Sequence, residues 1–308
     1  MNFRSISDLS LCVRENLSSI PRDVDLIVGV PRSGTLVASM VALNLNLRIT
    51  DLDSYLQDRK LAEKNTRDFQ SQSPSSPSDA RHVLIIDDTV QSGSTLEEVK
   101  KSVFELGRDQ RVSYGCAYIS PAAVDTVDLY FEELASPRCF EWNFMHRPFL
   151  KNCCMDIDGV LCVDPTEEQN DDGEKYLRFL RDAAPLVLPT YEVGHLVTSR
   201  LEKYRLETED WLKKSGVTYG ELHMLDLPDA ATRRALGCHA SFKASVYQKY
   251  DLSRLFIESE PKQSREIARL SGKPVICTKN QEIYLPSFSP ALIQTKTKRF
   301  LRKWRRWL

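Results

Sequence analysis

The chain has 308 residues, 42% hydrophobic and 28% charged, with 12 Gly and 15 Pro; this composition excludes a disordered, collagen-like or disulfide-scaffold protein, and the length suggests about two domains. No apolar run approaches the roughly 20 residues of a membrane span, and the N-terminal stretch MNFRSISDLSLCVREN lacks the apolar core of a signal peptide. Net charge is −1, yet the last 14 residues carry seven Lys/Arg and no acid, leaving an acidic body of net −8.

Short apolar runs alternate with helical patterns, which predicts an α/β fold in two domains. In chain order, a strand is expected at 26–30, a helix at 36–45, strands at 83–86 and 114–119 with a helix at 95–106 between them, and a domain boundary at 145–152. Beyond it, strands are expected at 152–157, 195–197, 255–257 and 274–277, with helices at 173–183, 205–215 and 262–270. The expected layout is a first domain over 1–150, a second over 151–286 and a basic tail over 287–308. Residues 54–81 resist assignment. Their stretch 71–78 is drawn only from Ser, Pro and Gln, which cannot pack a core, so a long functional loop is expected. The eight cysteines show no CxxC pair and no zinc-ligand spacing, and reduced thiols are expected.

Two strands end in acids followed by small residues, and in open parallel sheets ligands bind beyond the carboxyl ends of strands. The first is Val83-Leu84-Ile85-Ile86-Asp87-Asp88-Thr89-Val90-Gln91-Ser92-Gly93-Ser94-Thr95. Backbone N–H groups at a helix N-terminus, flanked by hydroxyls, make a phosphate cradle. Adjacent carboxylates can accept hydrogen bonds from a cis-diol. This stretch resembles the phosphoribosyl pyrophosphate (PRPP) motif of type I phosphoribosyltransferases. About 50 residues earlier, Leu26-Ile27-Val28-Gly29-Val30-Pro31-Arg32-Ser33-Gly34 looks like that family's pyrophosphate loop, with Arg32 supplying charge and Ser33, Gly34 and Thr35 supplying N–H groups. The resemblance implies PRPP binding by Arg32, Ser33, Gly34, Asp87, Asp88, Thr89, Gln91, Ser92, Gly93, Ser94 and Thr95. It also places the family's flexible catalytic loop at 54–81, with Lys60, Lys64 and Arg67 as candidate pyrophosphate contacts. Many nucleobase-salvage members carry an acid where this chain has Gln91.

The second acidic strand, Met155-Asp156-Ile157-Asp158-Gly159-Val160-Leu161, resembles the first motif of the haloacid dehalogenase (HAD) phosphatases. Alone, such a stretch also fits a calcium loop. Three further elements follow in family order: Leu196-Val197-Thr198-Ser199, Lys243, and Phe256-Ile257-Glu258-Ser259-Glu260. Asp156 and Asp158 lie two apart on a strand end and share a side. The resemblance implies Asp156 as nucleophile, Asp158 as acid and base, and Thr198 and Lys243 as phosphate contacts. Asp156, Asp158 and Glu258 would hold Mg2+. Lys249 competes with Lys243, and Ser259 stands where family members often have an acid. Little room for a cap domain lies between Asp158 and Thr198.

In the tail, Phe300, Leu301, Trp304, Trp307 and Leu308 fall on one arc of a helical wheel with the bases outside it, as expected of an interfacial helix on an anionic membrane rather than of a nucleic-acid binder. Docking on the acidic body competes with that reading. Together the motifs look like the phosphoribosyltransferase–phosphatase fusions of bacterial polysaccharide assembly. That implies a bifunctional ribofuranosyltransferase: 5-phosphoribosyl transfer from PRPP to a lipid-linked glycan acceptor, then removal of the 5-phosphate. The expected location is cytoplasmic, peripheral on the inner face of the membrane. A soluble nucleobase-salvage phosphoribosyltransferase fused to a nucleotidase is the alternative, and a non-catalytic PRPP sensor is a third.

Overall fold

The computed structural model describes residues 1–62 and 73–286. Lys64, Arg67 and the basic tail therefore lie outside the described residues. The chain divides into two compact units, Met1–Trp142 and Asn143 onward.

The first unit runs β1 (Asn2–Arg4), α1 (Ile6–Asn16), β2 (Leu26–Gly29), α2 (Gly34–Leu45), β3 (Arg48–Asp51), α3 (Leu52–Leu56), β4 (His82–Val90), α4 (Ser94–Phe104), β5 (Arg111–Ile119), β6 (Leu129–Glu133) and β7 (Arg138–Phe140). Strands β3-β2-β4-β5-β6 form one sheet and β1-β7 a second, and every pairing is parallel. Helices on both faces explain the unbroken apolar runs of β2 and β4. Ile27, Leu84 and Ile86 face Leu9 and Val13 of α1 and Val37 and Val41 of α2. Leu26, Val28, Val83 and Ile85 face Tyr55 of α3 and Val99 and Val103 of α4. Burying each such large aliphatic side chain stabilises by about 1.5–3 kcal/mol. The chain leaves β2 for β3 on one side and returns to β4 on the other, so the sheet's topological switch lies between β2 and β4.

The second unit runs β8 (Cys153–Met155), α5 (Glu174–Asp182), β9 (Val193–Leu201), α6 (Arg205–Lys214), β10 (Tyr219–Leu225), α7 (Ala230–Leu236), α8 (His239–Lys249), β11 (Leu255–Glu258), α9 (Pro261–Ser271), β12 (Val275–Cys277) and β13 (Glu282–Tyr284). Its sheet has the order β10-β9-β8-β11-β12-β13, parallel except for the β12–β13 edge pair. The central strand β8 is flanked by β9 and β11, which places a second switch point at its carboxyl end. One core joins Cys154, Val197, Phe256 and Val275 of the sheet to Ala244 and Tyr247 of α8 and Ile267 of α9.

The division at Trp142 and Asn143 precedes the boundary expected at 145–152 and the expected first domain of 1–150. The reason is that the 3-10 turn Pro148–Asn152 belongs to the second unit: Leu150 is fully buried, and Asn152 O accepts from Arg254 N at 3.0 Å beside β11. The predicted strand at 152–157 shortens to Cys153–Met155, whereas those at 83–86 and 195–197 lengthen to His82–Val90 and Val193–Leu201. Between β8 and β9, α5 is the one regular helix among the described residues. No described helix is long and apolar enough to cross a membrane, and all eight cysteines are thiols rather than disulfides.

Candidate active sites

At the first switch point, the β2–β4 pairing ends at Gly29 and Ile86, so Asp87 stands just beyond the end of β2. The Pro31–Arg32 peptide is cis, and the chain enters α2 at Gly34. A Cβ on Gly34 would lie 2.8 Å from Asp87 Oδ1 and 2.8 Å from Ile86 O. No side chain fits there, and the two loops predicted from far-apart motifs meet at this glycine. Thr35 Oγ1 donates to Arg32 O at 2.6 Å, and Arg32 itself is exposed. Neither α2 nor α4 has a side-chain N-cap bond, as suits an anion at a helix N-terminus, but Thr35 N, expected to donate to pyrophosphate, donates to Arg32 O at 3.4 Å, and Ser94 N donates to Ser92 Oγ at 3.5 Å. Before α4, Gly93 adopts φ +86°, and a Cβ there would meet Thr126 Cγ2 at 2.9 Å. Ser92, Ser94 and Thr95 are exposed around it. Thr89 Oγ1 is buried with no hydrogen-bond partner among the described residues.

The two acids differ in their partners. Asp87 Oδ1 accepts from Asp88 N at 2.7 Å. Asp88 Oδ2 accepts from the Trp142 indole Nε1 at 2.7 Å. Burial pushes the Asp87 carboxyl up to about 8, and the neighbouring Asp88 charge adds to the shift. Trp142 stacks on Phe140 at 4.9 Å, and Phe140 packs on Tyr118 at 5.5 Å. The bond from Trp142 to Asp88 spans 54 residues, and no local sequence pattern announces it. Gln91, exposed just after β4, has partners outside the loop it opens. Its amide donates to Ser136 Oγ at 3.2 Å, and its oxygen accepts from Arg138.

The second switch point gathers Asp156, Lys243 and Glu258. Asp156 follows β8, Glu258 ends β11 one position beyond the Met155–Ile257 pair, and Lys243 reaches in from α8. Lys243 Nζ donates to Asp156 Oδ2 at 2.6 Å, Glu258 Oε2 at 2.7 Å and Gln263 Oε1 at 3.1 Å. The exposures are 5%, 2% and 1% for Asp156, Lys243 and Glu258. Lys249 is exposed, and Lys243 is the one that reaches Asp156 and Glu258. Glu258 Oε1 accepts from the N–H groups of Ser259 and Glu260 at 3.0 and 3.2 Å. Burial raises the Asp156 carboxyl; Lys243 opposes the rise, and Glu258 and Asp158 add to it. Burial works against the Lys243 ammonium, but Asp156 and Glu258 hold it above its ordinary value.

Asp158 is engaged elsewhere. Arg200 grips it through Nε at 3.1 and 3.2 Å and Nη2 at 2.6 Å. Arg200 is fully buried and went unrecognised in the sequence. Thr198 Oγ1 accepts from Arg200 N at 3.2 Å, so it lies beside the arginine, not in the Asp156–Lys243–Glu258 contact network. The donor set fits a hard divalent cation. Two buried carboxylates share one lysine, Asp158 is matched by Arg200, and Asp164 lies near enough to Asp158 and Glu258 that its carboxyl, already raised by burial, is raised further. Acids outnumber bases here.

Residues 4–124 match the family model described as the phosphoribosyl transferase domain. "Transcriptional regulator GfcR 2" of Methanosarcina barkeri is 32% identical over 123 residues, covering 39% of this chain and 57% of that protein. "Transcriptional regulator GfcR" of Methanococcoides burtonii is 30% identical over 100 residues, covering 32% and 48%. The chain thus spans about half the length of these curated relatives. Among solved structures, the Helicobacter pylori xanthine-guanine-hypoxanthine phosphoribosyltransferase aligns with a TM-score of 0.34 at 18% identity, covering 46% of this chain and 90% of that one. A purine phosphoribosyltransferase from Pyrococcus horikoshii aligns with a TM-score of 0.33 at 19% identity, covering 46% and 92%. The N-terminal region of this chain is a type I phosphoribosyltransferase domain.

Proposed function

We propose that the chain couples phosphoribosyl transfer to phosphate removal. The first unit uses PRPP as donor and releases pyrophosphate. Asp87 and Asp88 grip the ribose diol, and the N-termini of α2 and α4 hold the pyrophosphate and the 5-phosphate. The second unit is a HAD-like phosphatase without a substantial cap. Asp156 attacks the phosphorus and the P–O bond to the leaving alcohol breaks, giving an aspartyl-phosphate that water then hydrolyses to free phosphate. Lys243 holds the Asp156 carboxylate for that attack, and Asp158, positioned by Arg200, serves proton transfer. Mg2+ bound by Asp156, Asp158 and Glu258 would offset charge on the phosphoryl group.

The observation that carries this reading is that each unit has an acid pair with at least one buried member, Asp88 with Asp87 in the first and Asp156 with Glu258 in the second, at the topological switch of its own sheet. We further propose a glycan hydroxyl as acceptor, on the resemblance to polysaccharide-assembly fusions, giving a plain ribofuranosyl product. The basic tail at 287–308 would hold the enzyme at an anionic membrane; deleting 295–308 should reduce co-sedimentation with anionic vesicles and spare activity on a short soluble acceptor. The decisive assay supplies labelled PRPP with candidate lipid-linked glycans, and separately with nucleobases, and follows pyrophosphate, phosphate and acceptor mass. Ribosylated nucleobase in place of glycan would sink the glycan reading and favour salvage.

A second reading rests on the curated relatives, which are named transcriptional regulators. Under it the first unit senses PRPP without turnover. Saturable PRPP binding with no pyrophosphate release under any acceptor would support it.

A further inference from the structure

The second unit carries a cluster that the phosphatase reading does not use. His195 lies on β9, and Glu221 and His223 lie on the neighbouring strand β10. Glu221 pairs in register with His195, and His223 follows two residues later on the same face. Each of the three offers one ligand atom within 4.8 Å of the others. Glu221 Oε2 and His223 Nε2 are already 3.4 Å apart, close to the edge of a tetrahedron built on metal–ligand bonds of about 2.0–2.1 Å. His195 Nδ1 is buried with no hydrogen-bond partner among the described residues. Leaving a buried imidazole nitrogen without a partner is unfavourable, and coordination of His195 through it would remove that cost.

We propose that His195, Glu221 and His223 bind one borderline transition-metal ion of the Zn2+ class. Two imidazoles and one carboxylate suit such an ion and not Mg2+, which prefers oxygen ligands. Three protein ligands leave a fourth position for water. Tyr250, at the end of α8, braces the site: its ring stacks on His195 at 3.7 Å, and its hydroxyl donates to Glu221 Oε2 at 2.6 Å. Entry is open, because β10 is the sheet edge and Glu221 is exposed. The site is separate from the Asp156 cluster. His195 pairs with Cys154, two residues before Asp156, so it sits along the strands rather than beyond their carboxyl ends. An ion here would clamp the edge strand to β9.

The test uses untagged full-length protein, stripped with a chelator and titrated with Zn2+ against a competing indicator dye. Co2+ serves as a second probe, read by its visible absorption. One equivalent of Zn2+ should bind with micromolar or tighter affinity and resist millimolar Mg2+. Glu221→Gln, at an exposed position, should weaken it at least tenfold with unchanged circular dichroism. His223→Gln should weaken it at least a hundredfold, and Asp156→Asn should leave it in place. Binding weaker than 100 µM in the unsubstituted chain would overturn the proposal. So would affinity unchanged by Glu221→Gln and His223→Gln, or loss of the equivalent in Asp156→Asn.

Discussion

The two switch points solve one topological problem with different hydrogen-bond partners for their acids. In the first unit, the carboxylates of Asp87 and Asp88 meet neutral donors, a backbone N–H and the Trp142 indole. In the second unit, the acids are met by buried cations, Lys243 for Asp156 and Glu258 and Arg200 for Asp158. The difference follows from the chemistry each site is proposed to perform. A diol is a neutral hydrogen-bond donor, which carboxylate oxygens can accept from directly. A nucleophile that must approach an anionic phosphate needs positive charge beside it. Burial raises a carboxyl at both sites, Asp87 in the first and Asp156 in the second, and only in the second does a buried lysine, Lys243, oppose the rise.

The most disruptive way to test this contrast is Asp156→Asn. Hydrolysis of a phosphoribosylated product should fall by about 10⁴-fold or more, since no nucleophile remains. Pyrophosphate release should persist, and an acceptor heavier by one phosphoribosyl group should accumulate in the mass spectrum. Hydrolysis at a near-normal rate would remove Asp156 from its role. The reciprocal change, Asp87→Asn with Asp88→Asn, should lower pyrophosphate release by about 10³-fold through the lost diol contacts while hydrolysis continues in the folded variant. Parallel loss of both activities without unfolding would contradict two separate sites.

Lys243→Met should cost about 3–5 kcal/mol in denaturant unfolding, because two buried carboxylates lose their shared cation. Adding Glu258→Gln should recover part of that loss, and strict additivity of the two changes would refute the coupling. The first site should respond in the other direction. Asp87 binds its proton more tightly folded than unfolded, so folding takes up a proton between the ordinary carboxylate range and about pH 8. The stability this contributes is present at low pH and is lost as pH rises through about 8. Asp87→Asn should thus raise the Tm at pH 8–9 by roughly 3–6 °C, an effect of about 1–2 kcal/mol, and change it little at pH 4. Equal shifts at both values would contradict the assignment. The smallest effect should come from Trp142→Phe, which keeps the stack on Phe140 and removes the donor to Asp88. A loss of about 1 kcal/mol should appear as a several-fold rise in the KM for PRPP at constant Tm.

Much of the fold is legible because its central strands are apolar on both faces and end in acids. The same logic hides other parts. Asp87 and Asp88 look like a strand end, yet β4 continues to Val90 because its pairing with β5 persists after β2 has stopped. Strand β10 escapes notice because it is an edge strand, and its Tyr-Gly-Glu-Leu-His stretch shows no apolar alternation. Helix α8 escapes because its buried face carries Lys243, which reads as a surface residue until Asp156 and Glu258 are placed beside it. Of the second site, Asp156 and Glu258 are visible as strand-end acids and Lys243 through resemblance alone. Arg200 is invisible for the opposite reason: a base after Thr198-Ser199 looks solvated, and only the fold closes it over Asp158.

The overrun of β4 past β2 has one more consequence. From Asp87 to Val90 the strand pairs with β5 alone, so the two acids stand on a one-sided shelf whose other side meets the chain after β2 at Gly34. Changes in that loop that keep Gly34 need not disturb the register of the acids, which the pairing with β5 sets. A scaffold built this way separates the part that reads the common donor from a part free to diverge, and new donor-side regulation or new acceptors can be acquired by loop replacement while the shelf is inherited unchanged.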